Sequence, residues 1–197
     1  MMRRLPLPAL LVLLAAAVAI AVAGQVLLQA TFASVKHPVS LFVANTTADP
    51  QTVRGWYSAL VEQGTLERMV ATELVDFVWI GGIACAVFLL TLTCARLLAR
   101  RNPVASARLY GIAPWVTLAP LLDVVENGFS LLMLSDPMGF PDVLAYLHAA
   151  ASWIKLAAIV AVATSLPSYA LWAAWAGGRG AERKDRLSPR VAAPGSD

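Results

Sequence analysis

The nine residues "LLDVVENGF", Leu121 to Phe129, place two carboxylic acids and an amide, Asp123, Glu126 and Asn127, inside one of the most apolar stretches of the chain. Offsets of three and four residues return to one face of an α-helix, so these side chains form a single polar patch, which Ser130 extends. Carboxyls in an apolar setting either exchange protons and bind cations, or pair with a base and lock a structure. Lys155 supplies a base: it is the sole cation of the next apolar run, where Ala145, His148, Ser152 and Lys155 recur at four-and-three spacing as a narrow stripe of small and polar groups. A third acid, Asp76, stands near the start of an earlier apolar run, followed by Phe77 and Trp79. It either sits at the membrane interface beside Arg68 or faces inward. If it faces inward, three acids meet one lysine, and only a protonated His148 lies at the right depth to help. One carboxyl must then hold a proton, or a cation must bind.

The elements that position these groups are membrane spans. Of 197 residues, 59% are hydrophobic and only 14% charged, and mean hydropathy is +0.69, which is wrong for a water-facing surface. Four long apolar segments, about 5–30, 74–98, 109–134 and 144–175, each reach the roughly 20 residues a helix needs to cross ~30 Å of hydrocarbon. The predicted fold class is therefore all-α, an integral membrane four-helix bundle occupying residues 1–176, with a helical outer segment at 31–73 between the first two spans. The first run, which begins after Arg3 and Arg4 and contains "AVA" before Gly24, also resembles a secretory signal. Its hydrophobicity continues through Val26, Leu27 and Leu28, so a retained helix is the expectation.

Insertion energies show why the third span needs a partner. An acid near the bilayer centre costs about 2.5 to 3.5 kcal/mol, and each Leu, Ile, Val or Phe returns about 0.3 to 0.6. About a dozen such residues roughly cancel two acids, which leaves a marginal span. A short turn, "SDPMGFPD", joins it to the fourth, so the two should be antiparallel neighbours. At ~1.5 Å per residue, Asp123 and Glu126 lie about 17 and 12 Å from that turn and Lys155 about 20 Å, depths that a side chain can bridge. Pro114 and Pro120 each remove a helix hydrogen bond, and a kink beside the patch is expected either to open a small hydrated cavity or to serve packing.

Cation placement predicts the threading. Arg3 and Arg4, then Arg96, Arg100, Arg101 and Arg108, then Arg179, Arg183, Lys184, Arg186 and Arg190 make up eleven of the 15 Lys and Arg, and they fall in alternate connections. By the positive-inside rule both termini are cytoplasmic, in a plasma (bacterial inner) membrane. In the outer segment, Asp49 is placed to cap a helix with Pro50 at its first position and Gly64 as its stop. Val53, Trp56, Tyr57, Leu60 and Val61 give that helix an apolar face. The sequon Asn45-Thr46-Thr47 also falls outside. The tail, 177–197, mixes Gly, Pro, Ser and cations and is expected to be disordered near anionic headgroups.

Several function classes lose support. The net charge of +3 comes in short clusters beside apolar runs, with no aromatic and basic interleaving, so nucleic acid is not an expected partner; the lipid bilayer is. Cys85 and Cys94, nine apart within one run, make no CxxC pair and read as small core residues. Two histidines, His37 and His148, are too few for the usual zinc site, no cofactor motif is present, and no metal or cofactor is expected.

The order Trp56, "DF" at Asp76-Phe77, "DVVEN" at Asp123 to Asn127 and "SWIK" at Ser152 to Lys155 resembles a group of small bacterial four-span membrane proteins without an established activity. The resemblance covers Trp56 to Lys155 and implies the architecture and the importance of the polar residues. It implies no reaction. Three readings stay open: proton or ion binding or transport, for which a self-associated pair would be expected; an accessory protein docked on a larger membrane complex, with the cluster only locking helices; and an intramembrane lipid-modifying enzyme with Glu126 or Asp123 as base and His148 assisting.

Overall fold

The computed structural model describes residues 5–187. Seven α-helices follow one another, α1 Leu7–Val35, α2 Leu41–Thr46, α3 Pro50–Glu62, α4 Leu66–Leu98, α5 Pro103–Ile112, α6 Leu118–Ser135 and α7 Asp142–Leu187, with a 3₁₀ turn at Trp115–Thr117 before α6. No strand occurs among the described residues. Four segments are long and apolar enough to span a membrane: Leu7–Val35, Leu66–Leu98, Trp115–Ser135 and Asp142–Gly178. The fold is thus the all-α, four-span bundle that the apolar runs predict, a multi-pass membrane protein.

Local chemistry sets the helix ends. Pro8 lies in the first turn of α1, where its missing N–H costs nothing, and Lys36 ends that helix in the left-handed conformation (φ 58°). The Asp49 carboxylate caps α3 by accepting from the Thr52 amide at 2.9 Å, and Gly64 (φ 65°) makes the turn into α4. Asn102 caps α5 with its Oδ1 and donates through Nδ2 to the Ala173 carbonyl at 3.2 Å, which ties the connection between α4 and α5 to α7.

The boundaries differ from the apolar runs in three places. α4 begins at Leu66, ahead of the apolar run at 74, as expected of a helix that starts again at Thr65 and meets no breaker before the second span. The expected third segment, 109–134, is divided at Pro114: residues 103–112 form the separate helix α5, and the span proper begins at Trp115. α7 continues through Gly177 and Gly178 to Leu187. Helix therefore covers the first part of the tail expected to be disordered; Ala181 to Leu187 are mostly strong helix formers, and 188–197 lie outside the described residues. The cysteines also depart from expectation: Cys85 is exposed on the bundle surface and Cys94 is half-buried, both as free thiols.

Two antiparallel pairs build the bundle, α1 on α4 and α6 on α7. The first pair closes on small residues. A methyl on Gly24 would lie 2.8 Å from the Trp79 Cα, and one on Gly82 would lie 2.7 Å from the Ala21 Cα, so the backbones touch where side chains are lacking. At one end Leu10, Leu92 and Ala113 pack together, and Leu98, Leu109 and Ala173 form a neighbouring core. At the other, Val53, Tyr57 and Leu60 of α3 join Val35, Met69, Met133 and Phe140. The outer segment is therefore a lid packed over the helix ends, with Arg54 donating to the Phe140 carbonyl (2.7 Å) of the turn before α7 and to the Asp142 carboxylate at the start of α7.

Candidate functional site

Below this lid the polar residues of α4, α6 and α7 converge. Lys155 Nζ lies 2.7 Å from Asp123 Oδ1 and also contacts the Glu126 carboxylate, so one ammonium bridges both acids of α6. Asp123, Glu126, Asn127 and Ser130 are all buried, as the three-and-four spacing requires of one face. Asp76 faces the bundle and accepts from Asn127 Nδ2 at 2.9 Å, while Arg68 turns away to the Ser34 carbonyl. The stripe on α7 also packs inward: Ala145, His148 and Ser152 are buried against α6.

Two members play smaller parts than their positions suggest. Ser152 donates to the His148 carbonyl of its own helix at 3.0 Å. His148 Nε2 stands 3.9 Å from Glu126 Oε1, beyond a direct hydrogen bond.

A fourth acid, Glu73, completes the cluster and is absent from the residues singled out by sequence. It is 6% exposed, and Ser130 Oγ donates to its Oε1 at 2.6 Å. Asn127 Nδ2 lies 3.5 Å from its carbonyl, so α6 grips α4 through both side chain and backbone. Tyr57 of the lid sits above, its hydroxyl pushed up from the ordinary phenol range by burial and, secondarily, by the Glu73 charge. The signal was present in the sequence: Glu73 and Asp76 are three apart and share a helical face.

The charge balance is uneven. Of the four acids, Asp123 and Glu126 meet a cation, Lys155, whereas Glu73 and Asp76 are held by the neutral donors Ser130 and Asn127. Glu126 Oε1 and Asp76 Oδ1 are buried and accept no hydrogen bond there. No group of three His, Cys, Asp or Glu side chains among the described residues is arranged to hold a metal ion.

No family model, curated protein or solved structure matches this chain. What the site can do is therefore read from its own surroundings. On the lid side, Lys155 and Ser152 line a groove of about 310 Å³ with Gln29, Asn45 and Thr46. On the opposite side, Asp123 forms part of the wall of a cleft of about 260 Å³ between α4, α6 and α7, bounded by Trp79, Ile83, Val87, Pro120 and Ile159. The space beside Pro120 is thus lined almost wholly by carbon, which fits a packing kink better than a hydrated cavity, the two outcomes left open for it.

Proposed function

We propose that this four-span protein is a proton-binding membrane protein in which the acid cluster takes up and releases protons between the helices. The single observation that carries the reading is the imbalance of four inward carboxyls against one lysine. Charges in low dielectric cannot remain unpaired, because isolated ionised carboxylates cost far more to bury than neutral acids. A neutral acid beside an ionised one is a site at which a proton can be gained, lost or passed on. Glu126 is the chosen proton carrier: it is fully buried, one oxygen meets Lys155, and the other accepts no hydrogen bond. Lys155 holds the remaining negative charge in place and sets the affinity.

The cationic connections support an orientation with both termini in the cytoplasm of a bacterial inner membrane, which puts the lid and the groove at Lys155 on the outer side. A proton conduit of this size is expected to work as a self-associated pair within the bilayer.

Proteoliposomes containing a trapped pH dye test the reading. A pH step should produce saturable proton entry with wild-type protein and none above empty vesicles with Glu126→Gln, whose circular dichroism and thermal midpoint stay near wild type. Equal entry with both proteins would remove the basis of the proposal.

The cross-helix bonds from Asn127 and Ser130 favour a second reading, in which the cluster only fixes which faces meet in an accessory protein. A charge exchange between Asp123 and Lys155, argued below, separates the two.

A further inference from the structure

The cleft beside Asp123 differs in kind from the cluster above it. Its walls come from three helices, and Trp79 and Asp123 are its only lining residues with a polar side-chain atom. An apolar cavity of about 150 Å³ already takes benzene. A space of about 260 Å³ holds something larger, such as a medium alkyl chain. It also has a door. Ala163 and Ile159 on α7 line the cleft and are exposed on the lipid-facing surface, so an occupant can enter sideways from the hydrocarbon.

Charge complementarity decides what that occupant is. The cleft ends against an acid, and behind that acid stand three more carboxyls with one lysine among them. A neutral apolar molecule would leave the imbalance untouched, and an anion would worsen it. A cation with an apolar body would lower it. Glu126 lies outside the cleft, but Lys155 bridges it to Asp123, so the acid at the end of the cleft shares its one cation with a second, fully buried carboxyl.

We propose that the cleft is a binding site for lipophilic organic cations, with the alkyl or aryl body between Ile83, Val87 and Ile159 and the ammonium head against Asp123. The inference rests on the proton-binding reading of the same cluster and supplies its substrate class. The exchange balances simply: a quaternary ammonium enters, one carboxyl loses its proton to become the counter-charge, and that proton leaves to solvent. Cation and proton thus compete for the same negative charge, which is the linkage an exchanger requires.

Calorimetric titration of the purified protein with octyltrimethylammonium, repeated in two buffers of different ionisation heat, measures affinity and proton release together. Octanol serves as the uncharged match. Wild type is expected to bind the cation at least tenfold more tightly than octanol and to release about one proton per cation bound. Asp123→Asn should lose the tenfold preference while still binding octanol. Ala163→Phe, with Ile83→Trp as the alternative where the first fails to fold, should lose both ligands while circular dichroism and the thermal midpoint stay near wild type. Cation binding without proton release would leave the site standing and count against the proton-binding reading alone. Equal binding of cation and octanol, no cation binding at all, or an Asp123→Asn protein that keeps the preference would overturn the site.

Discussion

Lys155 Nζ and Asp123 Oδ1 lie 2.7 Å apart, yet the two residues line different cavities, the lysine a partly polar groove under the lid and the aspartate an apolar cleft on the far side. The ion pair thus joins residues that front spaces of opposite character. This is why a contact that looks like a structural staple is also the most informative place to perturb.

Replacing one partner leaves the other charge buried. Lys155→Met should destabilise the bundle by about 3 to 5 kcal/mol, the usual cost of breaking a buried pair by truncation. The exchanged protein, Asp123→Lys with Lys155→Asp, should recover most of that stability in a thermal or denaturant titration. Proton entry should not recover, because the new lysine displaces the acid next to Glu126. Recovered stability in the exchanged protein, with no proton entry above empty vesicles in either it or the wild type, would favour the helix-locking reading.

Ser130 gives a smaller effect with a clear direction. Its hydroxyl donates at 2.6 Å to Glu73 Oε1, and hydrogen bonds to charged groups contribute about 1.5 to 3 kcal/mol. Ser130→Ala should cost about that much if Glu73 is ionised, and closer to 1 kcal/mol if Glu73 is neutral. Comparing Ser130→Ala in wild-type and Glu73→Gln backgrounds isolates the pair. A coupling energy near zero would show that the two side chains do not support each other.

Glu73 also shows where sequence reading stops. The spans were legible because length and composition decide them, and Asp123, Glu126 and Asn127 were legible as one face because helical periodicity decides that. Asp76 was left between two environments, because its exposure depends on how α4 rolls against α6. Glu73 was lost to a boundary: an apolar run is drawn to end at its first acid, so the acid at its edge was assigned to the outer segment, although the helix starts at Leu66 and carries it inward. The division at Pro114 was legible only as a kink. Whether a proline bends a helix or ends it depends on tertiary packing that periodicity does not record. The His148 and Ser152 spacing was visible; that Ser152 turns back to its own helix is a rotamer choice, which leaves no trace in spacing.

The contact between α1 and α4 should be the most size-sensitive in the molecule. A Cβ on Gly82 would meet backbone atoms of Ala21 rather than a flexible side-chain end, so the helices must separate to admit one. Gly82→Val and Gly24→Val are each expected to cost at least the 1 to 3 kcal/mol typical of overpacking. Gly81→Val, one position along α4 with nothing within 4 Å, is the matched control and should stay near wild type. The thermal midpoints of the three proteins decide the matter, and a control as damaging as Gly82→Val would point to helix propensity instead.

Arg54 holds the lid to the rest of the bundle. It donates to the Phe140 carbonyl, pairs with Asp142, and sits with its guanidinium carbon 4.6 Å from the Phe140 ring centroid. Arg54→Ala should leave the four spans intact while loosening α3. Amide exchange in Pro50–Glu62 should accelerate about tenfold, with α4 and α6 unchanged. Exchange that accelerates equally in all helices would mean that the lid is part of the same cooperative unit.

The lid should also respond to acid through His37. Its ring lies between Phe32 and Trp56, with centroids at 5.7 and 5.6 Å, and Nδ1 lies 3.2 Å from the Val39 carbonyl. Burial lowers its proton affinity below the ordinary histidine value of 6.5, more than the contact with the Val39 carbonyl restores it. With the folded-state value below the unfolded one, the unfolded state binds more protons as pH falls through about 6.5, so stability is lost on acidification and complete above that pH. Amide exchange in α3 should therefore quicken between pH 7.5 and 5.5 once corrected for the intrinsic rate. His37→Phe, which keeps a ring between Phe32 and Trp56, should abolish that pH dependence. A dependence that survives the substitution would assign the acid response to another group.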